Sequence, residues 1–231
     1  MAARVAIVTG GTGALGQAIV LRLLKDGGRV AIPYAVPAEQ TALLARVAPP
    51  DHARLRTAAV DVTDAVAMTA FADGVATAWG GLHLLVSAVG GFAGGGLLET
   101  DQALWERMLR LNLTSAFSAA RAALPHLLRS GSGRIVLVAS RAVLPPTGGF
   151  LAYTVAKAGV VALTQALADE TRGKGVTVNA IAPSTMDTPA NRAAMPGADR
   201  TGWVPVEEVA DAIAFLGSEN AAHVTGAVLT I

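Results

Sequence analysis

The sequence predicts an α/β protein, a three-layer, doubly wound parallel sheet of seven strands with helices on both faces. Two observations predict it. Short β-branched apolar runs alternate with longer segments of helical period along the chain, the pattern of parallel strands joined by crossover helices. The first of these runs also leads directly into a cluster of glycines and then an apolar helix, and no internal repeat, low-complexity tract or linker interrupts the alternation.

Taken in order, the strands fall at residues 4–9, 29–32, 54–60, 82–87, 134–139, 176–181 and 227–231. Each is a short run of apolar and β-branched residues, as in Val5-Ala6-Ile7-Val8 or Val176-Thr177-Val178. The helices between them are expected at 15–26, 38–47, 65–79, 101–128, 153–172 and 205–216. The fourth breaks near Leu111, separating 101–110 from a helix that begins at Asn112. Loops at 141–152 and 183–204 are long for a compact domain, and loops of that length usually carry function. An α/β chain of 231 residues is routinely one domain, so a single domain over 1–231 is expected.

Bulk properties narrow the function. Apolar residues make up 52% and charged residues 15%, a surplus that points to apolar surface buried between subunits of a homo-oligomer. Eighteen basic and 17 acidic residues leave a formal charge of +1 with no basic block, so nucleic acid is not an expected partner. There is no cysteine for a disulfide or thiolate site, and His52, His83, His126 and His223 lack ligand spacing, so no metal is expected. Residues 5–21 are uncharged and follow Arg4, as in a leader or anchor, but four glycines within seven positions suit neither. The uncharged stretch 82–98 is broken by His83 and five glycines, so no membrane association is expected and the cytoplasm is the expected location.

In a doubly wound sheet, ligands bind beyond the carboxyl ends of the strands, where strand order reverses. The first strand ends in Thr9-Gly10-Gly11-Thr12-Gly13-Ala14-Leu15-Gly16. Glycines there allow a tight turn and close approach to a pyrophosphate, and the helix N-terminus offers free N–H groups. A plain strand-to-helix turn uses glycines too. The second strand ends at Ile32-Pro33-Tyr34-Ala35 without the acid that an NAD site usually offers the ribose, which leans toward NADP(H), although no Arg or Lys stands there either. After the third strand, Asp61-Val62 can bring a carboxylate to the adenine amino group; alternatively Asp61 or Thr63 caps the following helix.

The chemistry centres on Tyr153 and Lys157, four residues apart on one helix face, with Ser140 at the end of the fifth strand. A nearby ammonium favours the phenolate, and bringing a phenol of pKa about 10 toward neutrality corresponds to roughly 3–4 kcal/mol of differential stabilisation. Tyr153 can then exchange a proton with a carbonyl oxygen as hydride is transferred, while Ser140 hydrogen-bonds the same oxygen. Asn112 interrupts an apolar helical face and can hold a water that relays protons to Lys157.

Together these residues resemble the short-chain dehydrogenase/reductase family over essentially the whole chain. The family's Tyr-x-x-x-Lys falls at Tyr153 and Lys157, its Ser at Ser140, its helix Asn at Asn112 and its glycine loop at 9–16. The resemblance implies a Rossmann-type sheet of order 3-2-1-4-5-6-7. It also implies NAD(P) as coenzyme and a homotetramer, or a dimer, built through the helices of Asn112 and Tyr153. Implied coenzyme contacts are Gly10, Thr12, Ala14, Leu15, Gly16, Tyr34, Asp61, Val62, Ser87, Ala88, Val89, Tyr153, Lys157, Pro183, Thr185 and Thr188. Three places depart from the family pattern. Ala14 replaces the middle loop glycine, Ser87-Ala88-Val89-Gly90 stands for Asn-Asn-Ala-Gly, and Pro183-Ser184 stands for Pro-Gly. The stretches 87–95 and 187–196, with Trp203, are similar to dihydropteridine reductases.

The expected activity is therefore reduction of a ketone, or oxidation of a secondary alcohol, on a small carbonyl or alcohol substrate, under a lid at 184–204. Reduction of a quinonoid dihydropterin is the alternative within enzymes, and a non-catalytic NAD(P) sensor is the alternative of another class.

Overall fold

A computed structural model of the chain describes residues 4–231. Its seven strands are β1 (Val5–Thr9), β2 (Arg29–Tyr34), β3 (Leu55–Ala59), β4 (Leu84–Ser87), β5 (Gly133–Val138), β6 (Val176–Ala182) and β7 (Val228–Thr230). They pair in parallel in the order β3-β2-β1-β4-β5-β6-β7. The order reverses between β1 and β4, which opens a crevice at their carboxyl ends.

Both faces of the sheet are covered, and alternate residues of each strand supply the two cores. Val5 and Ile7 of β1, with Ile135 and Leu137 of β5, face one apolar cluster. Ala6 and Val8, with Val136 and Val138, face the other. The first cluster is closed by α3 (Ala65–Trp79), α5 (Ser115–Ser130) and α6 (Leu151–Glu170), the second by α1 (Ala14–Lys25), α2 (Pro37–Arg46) and α8 (Val206–Leu216). Burying side chains such as Ile7, Ile19 or Leu85 completely contributes roughly 1.5–3 kcal/mol each before chain entropy is set against it. A strand buried on both faces reads as a continuous apolar run, as these did.

Three local features position the site. Beyond α4 (Gln102–Leu109), the expected break is a π-turn over Arg110–Thr114 that runs on into α5, so no new helix starts at Asn112. Such insertions occur frequently at functional sites. Within the expected loop 183–204 lies a short helix, α7 (Pro189–Ala194), started by Pro189 and capped by Thr188, whose Oγ1 accepts from Asn191 N at 3.1 Å. The base of that segment is closed by pairing of Met186 with Val204. Finally, α3 is capped by Asp64, whose Oδ1 accepts from Val66 N at 2.9 Å and Ala67 N at 3.0 Å. Neither Asp61 nor Thr63 caps that helix, correcting the expectation. Asp61 instead closes its own turn, accepting from the backbone and the hydroxyl of Thr63 at 2.8 and 2.7 Å.

Although α6 is long and apolar enough to span a membrane by length and composition, it packs on β6 and beside the π-turn and carries the buried Lys157.

Candidate active site

The glycine loop is built for close approach. Gly10 has φ +71°, and a Cβ there would stand 2.7 Å from the Ala88 carbonyl carbon. At Gly16 a Cβ would fall 1.9 Å from Gly10 O, so only glycine lets α1 begin against the turn. Gly11 lies against β2, where a Cβ would meet Ile32 Cγ2 at 2.7 Å. Ala14 is exposed at the start of α1, which explains how a methyl replaces a glycine there. Leu15 is buried in the second cluster, and Thr12 is buried in the loop. The turn therefore presents backbone and a helix N-terminus to the crevice, a fit for a dinucleotide pyrophosphate.

The remaining expected contacts surround the same crevice. Ser87 ends β4 and Ala88 and Val89 follow it, with Thr9 Oγ1 donating to Ser87 Oγ at 3.3 Å across the β1–β4 pair. Tyr34 ends β2, and Asp61 with the buried Val62 follows β3. The Thr63 hydroxyl and backbone N–H hold the Asp61 carboxyl below its usual range. Pro183 follows β6, its carbonyl accepting from Arg141 N at 2.9 Å, while Thr185 O accepts from Val204 N at 2.9 Å. Thr188 is committed to capping α7.

The four residues expected to carry chemistry converge where β4, β5, α6 and the π-turn meet. Lys157 is buried, and its Nζ donates to Val138 O at the end of β5, 2.8 Å away. One turn earlier on α6, Tyr153 sits close enough to Ser140, just past β5, for the serine to oppose the rise of its phenol. Asn112 is 1% exposed, and both its amide hydrogens are used: Nδ2 donates to Gly91 O at 3.0 Å and Met108 O at 3.1 Å. Its Oδ1 accepts from Gly91 N at 3.2 Å, so the side chain clamps the loop after β4. Gly90 fits between the partners, since a Cβ there would lie 2.8 Å from Asn112 Oδ1 and 3.2 Å from Lys157 Nζ.

One electrostatic expectation is overturned. Burial pushes the Tyr153 phenol up, opposed by Ser140, instead of the ammonium drawing it down. Burial also pulls Lys157 down to about 8. Both shifts have one cause: a dry pocket penalises phenolate and ammonium alike.

Sequence reasoning missed the aromatic wall of the site. Phe92 and Phe150 flank Tyr153 with ring centroids 5.1 and 6.2 Å from it and 5.5 Å from each other. Their loops are tied by Gly95 N donating to Gly149 O at 2.8 Å and Leu151 N to Gly95 O at 2.9 Å. Phe92 remains 65% exposed although it lies on the site.

Residues 4–198 match the model of the short chain dehydrogenase family. The chain is 36% identical over 240 residues to cis-4-hydroxycyclohexanecarboxylate dehydrogenase of Sinomonas cyclohexanicum, covering 100% of this chain and 95% of that protein. It is 32% identical over 241 residues, with the same coverage, to 2,5-dichloro-2,5-cyclohexadiene-1,4-diol dehydrogenase of Sphingobium indicum. Among solved structures it resembles levodione reductase with a TM-score of 0.91 at 27% identity, covering 99% of this chain and 95% of the other.

Proposed function

Because the chain belongs to the short-chain dehydrogenase family, an NAD(P)-dependent oxidoreductase acting on CH–OH and C=O groups, we propose that Tyr153, Ser140, Lys157 and Asn112 interconvert a secondary alcohol and a ketone. The observation that carries this reading is the buried Lys157 ammonium on Val138 O, one helical turn from a Tyr153 phenol that Ser140 faces. In reduction, Tyr153, protonated at neutral pH, donates its proton to the substrate oxygen, and Ser140 hydrogen-bonds that oxygen to orient it. Lys157 holds the next proton one turn away, and Asn112 acts by fixing the loop at Gly91. Bound NAD(P)(H) supplies or accepts the hydride. The glycine turn, Ser87-Ala88-Val89 and the segment from Pro183 to Thr188 would hold that coenzyme. By itself, the acid-free turn at 32–35 supports NADP(H).

The Phe92–Phe150 wall supports an apolar ring ketone as substrate, in keeping with the ring compounds named for the two dehydrogenase relatives. The segment 184–204, pinned at its base by Met186 and Val204, serves as a lid of the single domain and excludes water on closing. The exposed Phe117 of α5 and Val155 of α6 support a homo-oligomer joined through these helices. Residues 5–21 form β1, the turn and the start of α1 within the sheet, which supports a cytoplasmic protein over one anchored by that segment.

The test is Tyr153→Phe assayed with a panel of cyclic and acyclic ketones and a quinonoid dihydropterin, each with NADH and NADPH. Turnover of ketones by the wild type, lost about 100-fold or more in the variant while coenzyme binding persists, is expected. Retained turnover in the variant refutes the role of Tyr153. Turnover of the dihydropterin alone transfers the assignment to that substrate, and tight coenzyme binding with no turnover points to a sensor.

A further inference from the structure

The turn after β2 has no acid, but the fold delivers one to the glycine loop from the next helix. Glu39 stands in the first turn of α2, and its Oε2 accepts a 2.9 Å hydrogen bond from Thr12 Oγ1. Thr12 is 6% exposed and belongs to the loop that packs against Ile32 of β2, so the carboxylate is held at the β2 side of the turn. Glu39 also lies twenty-three residues after Gly16. Dinucleotide folds place the acid that bonds the adenosine ribose about 20 residues beyond their glycine turn.

The surroundings leave this charge unneutralised. Glu39 forms no ion pair among the described residues. Among the described residues the one cation of its hydrogen-bond network, Arg46, donates to Gln17 Oε1 at 2.7 Å, and Gln17 donates to Thr12 O at 2.8 Å. At the end of the neighbouring strand β3, Asp61 adds a second exposed carboxylate, kept ionised by Thr63.

We infer that Glu39 selects the coenzyme, accepting a hydrogen bond from the adenosine 2′-hydroxyl of NAD(H) and repelling the 2′-phosphate of NADP(H). The inference rests on the dinucleotide reading of the glycine loop. A 2′-phosphate would bring a charge of about −1.5 to −2 against the carboxylate. Thr12 holds the carboxylate in place beforehand, so little side-chain freedom is lost when a ribose hydroxyl arrives. The acid missing from 32–35 is thus supplied from a different element, and the preference inverts to NAD(H).

The experiment measures dissociation constants of NADH and NADPH by nicotinamide fluorescence, without substrate, for the wild type and Glu39→Gln. The wild type is expected to bind NADH at least about tenfold more tightly, and the variant to tighten NADPH about tenfold with a change of about threefold or less for NADH. Raising salt should narrow the wild-type preference, because the repulsion acts at an exposed site. Equal or tighter binding of NADPH by the wild type, or an unchanged ratio in the variant, overturns the role of Glu39 and leaves the dinucleotide site standing. Binding of neither coenzyme overturns the dinucleotide reading and this inference together.

Discussion

Replacing Lys157 with Met should make stability respond differently to pH, because the ammonium is buried at a cost to the fold. Burial pulls its pKa from 10.5 to about 8. Between those values the unfolded chain binds more protons than the folded one, so this group makes stability rise with pH across that window. Below about pH 8 the whole cost is present, and above about pH 10.5 it is gone. At about 1.4 kcal/mol per tenfold change in proton affinity, the cost is roughly 3 kcal/mol. Methionine fills similar volume without charge but leaves Val138 O without its donor, a loss of about 1–3 kcal/mol. Near neutrality the two effects nearly cancel, so the variant should match the wild type to within about 2 kcal/mol. As pH rises, the wild type alone gains. Urea unfolding followed by circular dichroism, from about pH 7 to about pH 10.5, should show the stability difference (wild type minus variant) growing by roughly 3 kcal/mol, since other titrating groups cancel. Turnover should be lost in the variant throughout. A difference that stays flat, or shrinks with rising pH, would refute the assignment of a buried, strained ammonium.

Two further substitutions test the supporting structure. Gly90→Ala places a methyl 2.8 Å from Asn112 Oδ1 and 3.2 Å from Lys157 Nζ. Displacing both should lower kcat at least about tenfold and stability by about 1–3 kcal/mol, read from steady-state kinetics and urea unfolding. Asp64→Ala removes two bonds to the first turn of α3, far from Tyr153 in sequence and function. It should cost about 1 kcal/mol in urea unfolding and leave kcat unchanged.

The order and type of the elements were legible because each strand is an apolar run set against a helical period, and no tertiary contact was needed to see it. The strand bounds were less so. β2 continues through Pro33 to Tyr34, where reading apolar runs stopped at residue 32, because β1 has ceased to pair beyond Ala31 and a residue without an N–H is tolerated there. Helix α7 was invisible inside a long polar segment, since six residues give too short a period to register and its start depends on the Thr188 cap.

At the site, the residues legible from spacing alone are those whose partners lie close in the chain, while Asn112 showed as a polar break in an apolar helical face. Tyr153 and Lys157 are one turn apart, and the glycine turn is continuous. Glu39 acts through Thr12, Phe92 through Tyr153, and Gly90 through Asn112 and Lys157, partners twenty-two to sixty-seven positions away. The reversed pKa expectation has the same origin. Spacing on a helix shows that a phenol and an ammonium share a face, but the sign of their shifts depends on how much water the surrounding elements exclude. Here β5, the π-turn and α6 exclude enough that desolvation sets both shifts, so the pocket favours a neutral phenol, the form that can donate a proton to a carbonyl oxygen.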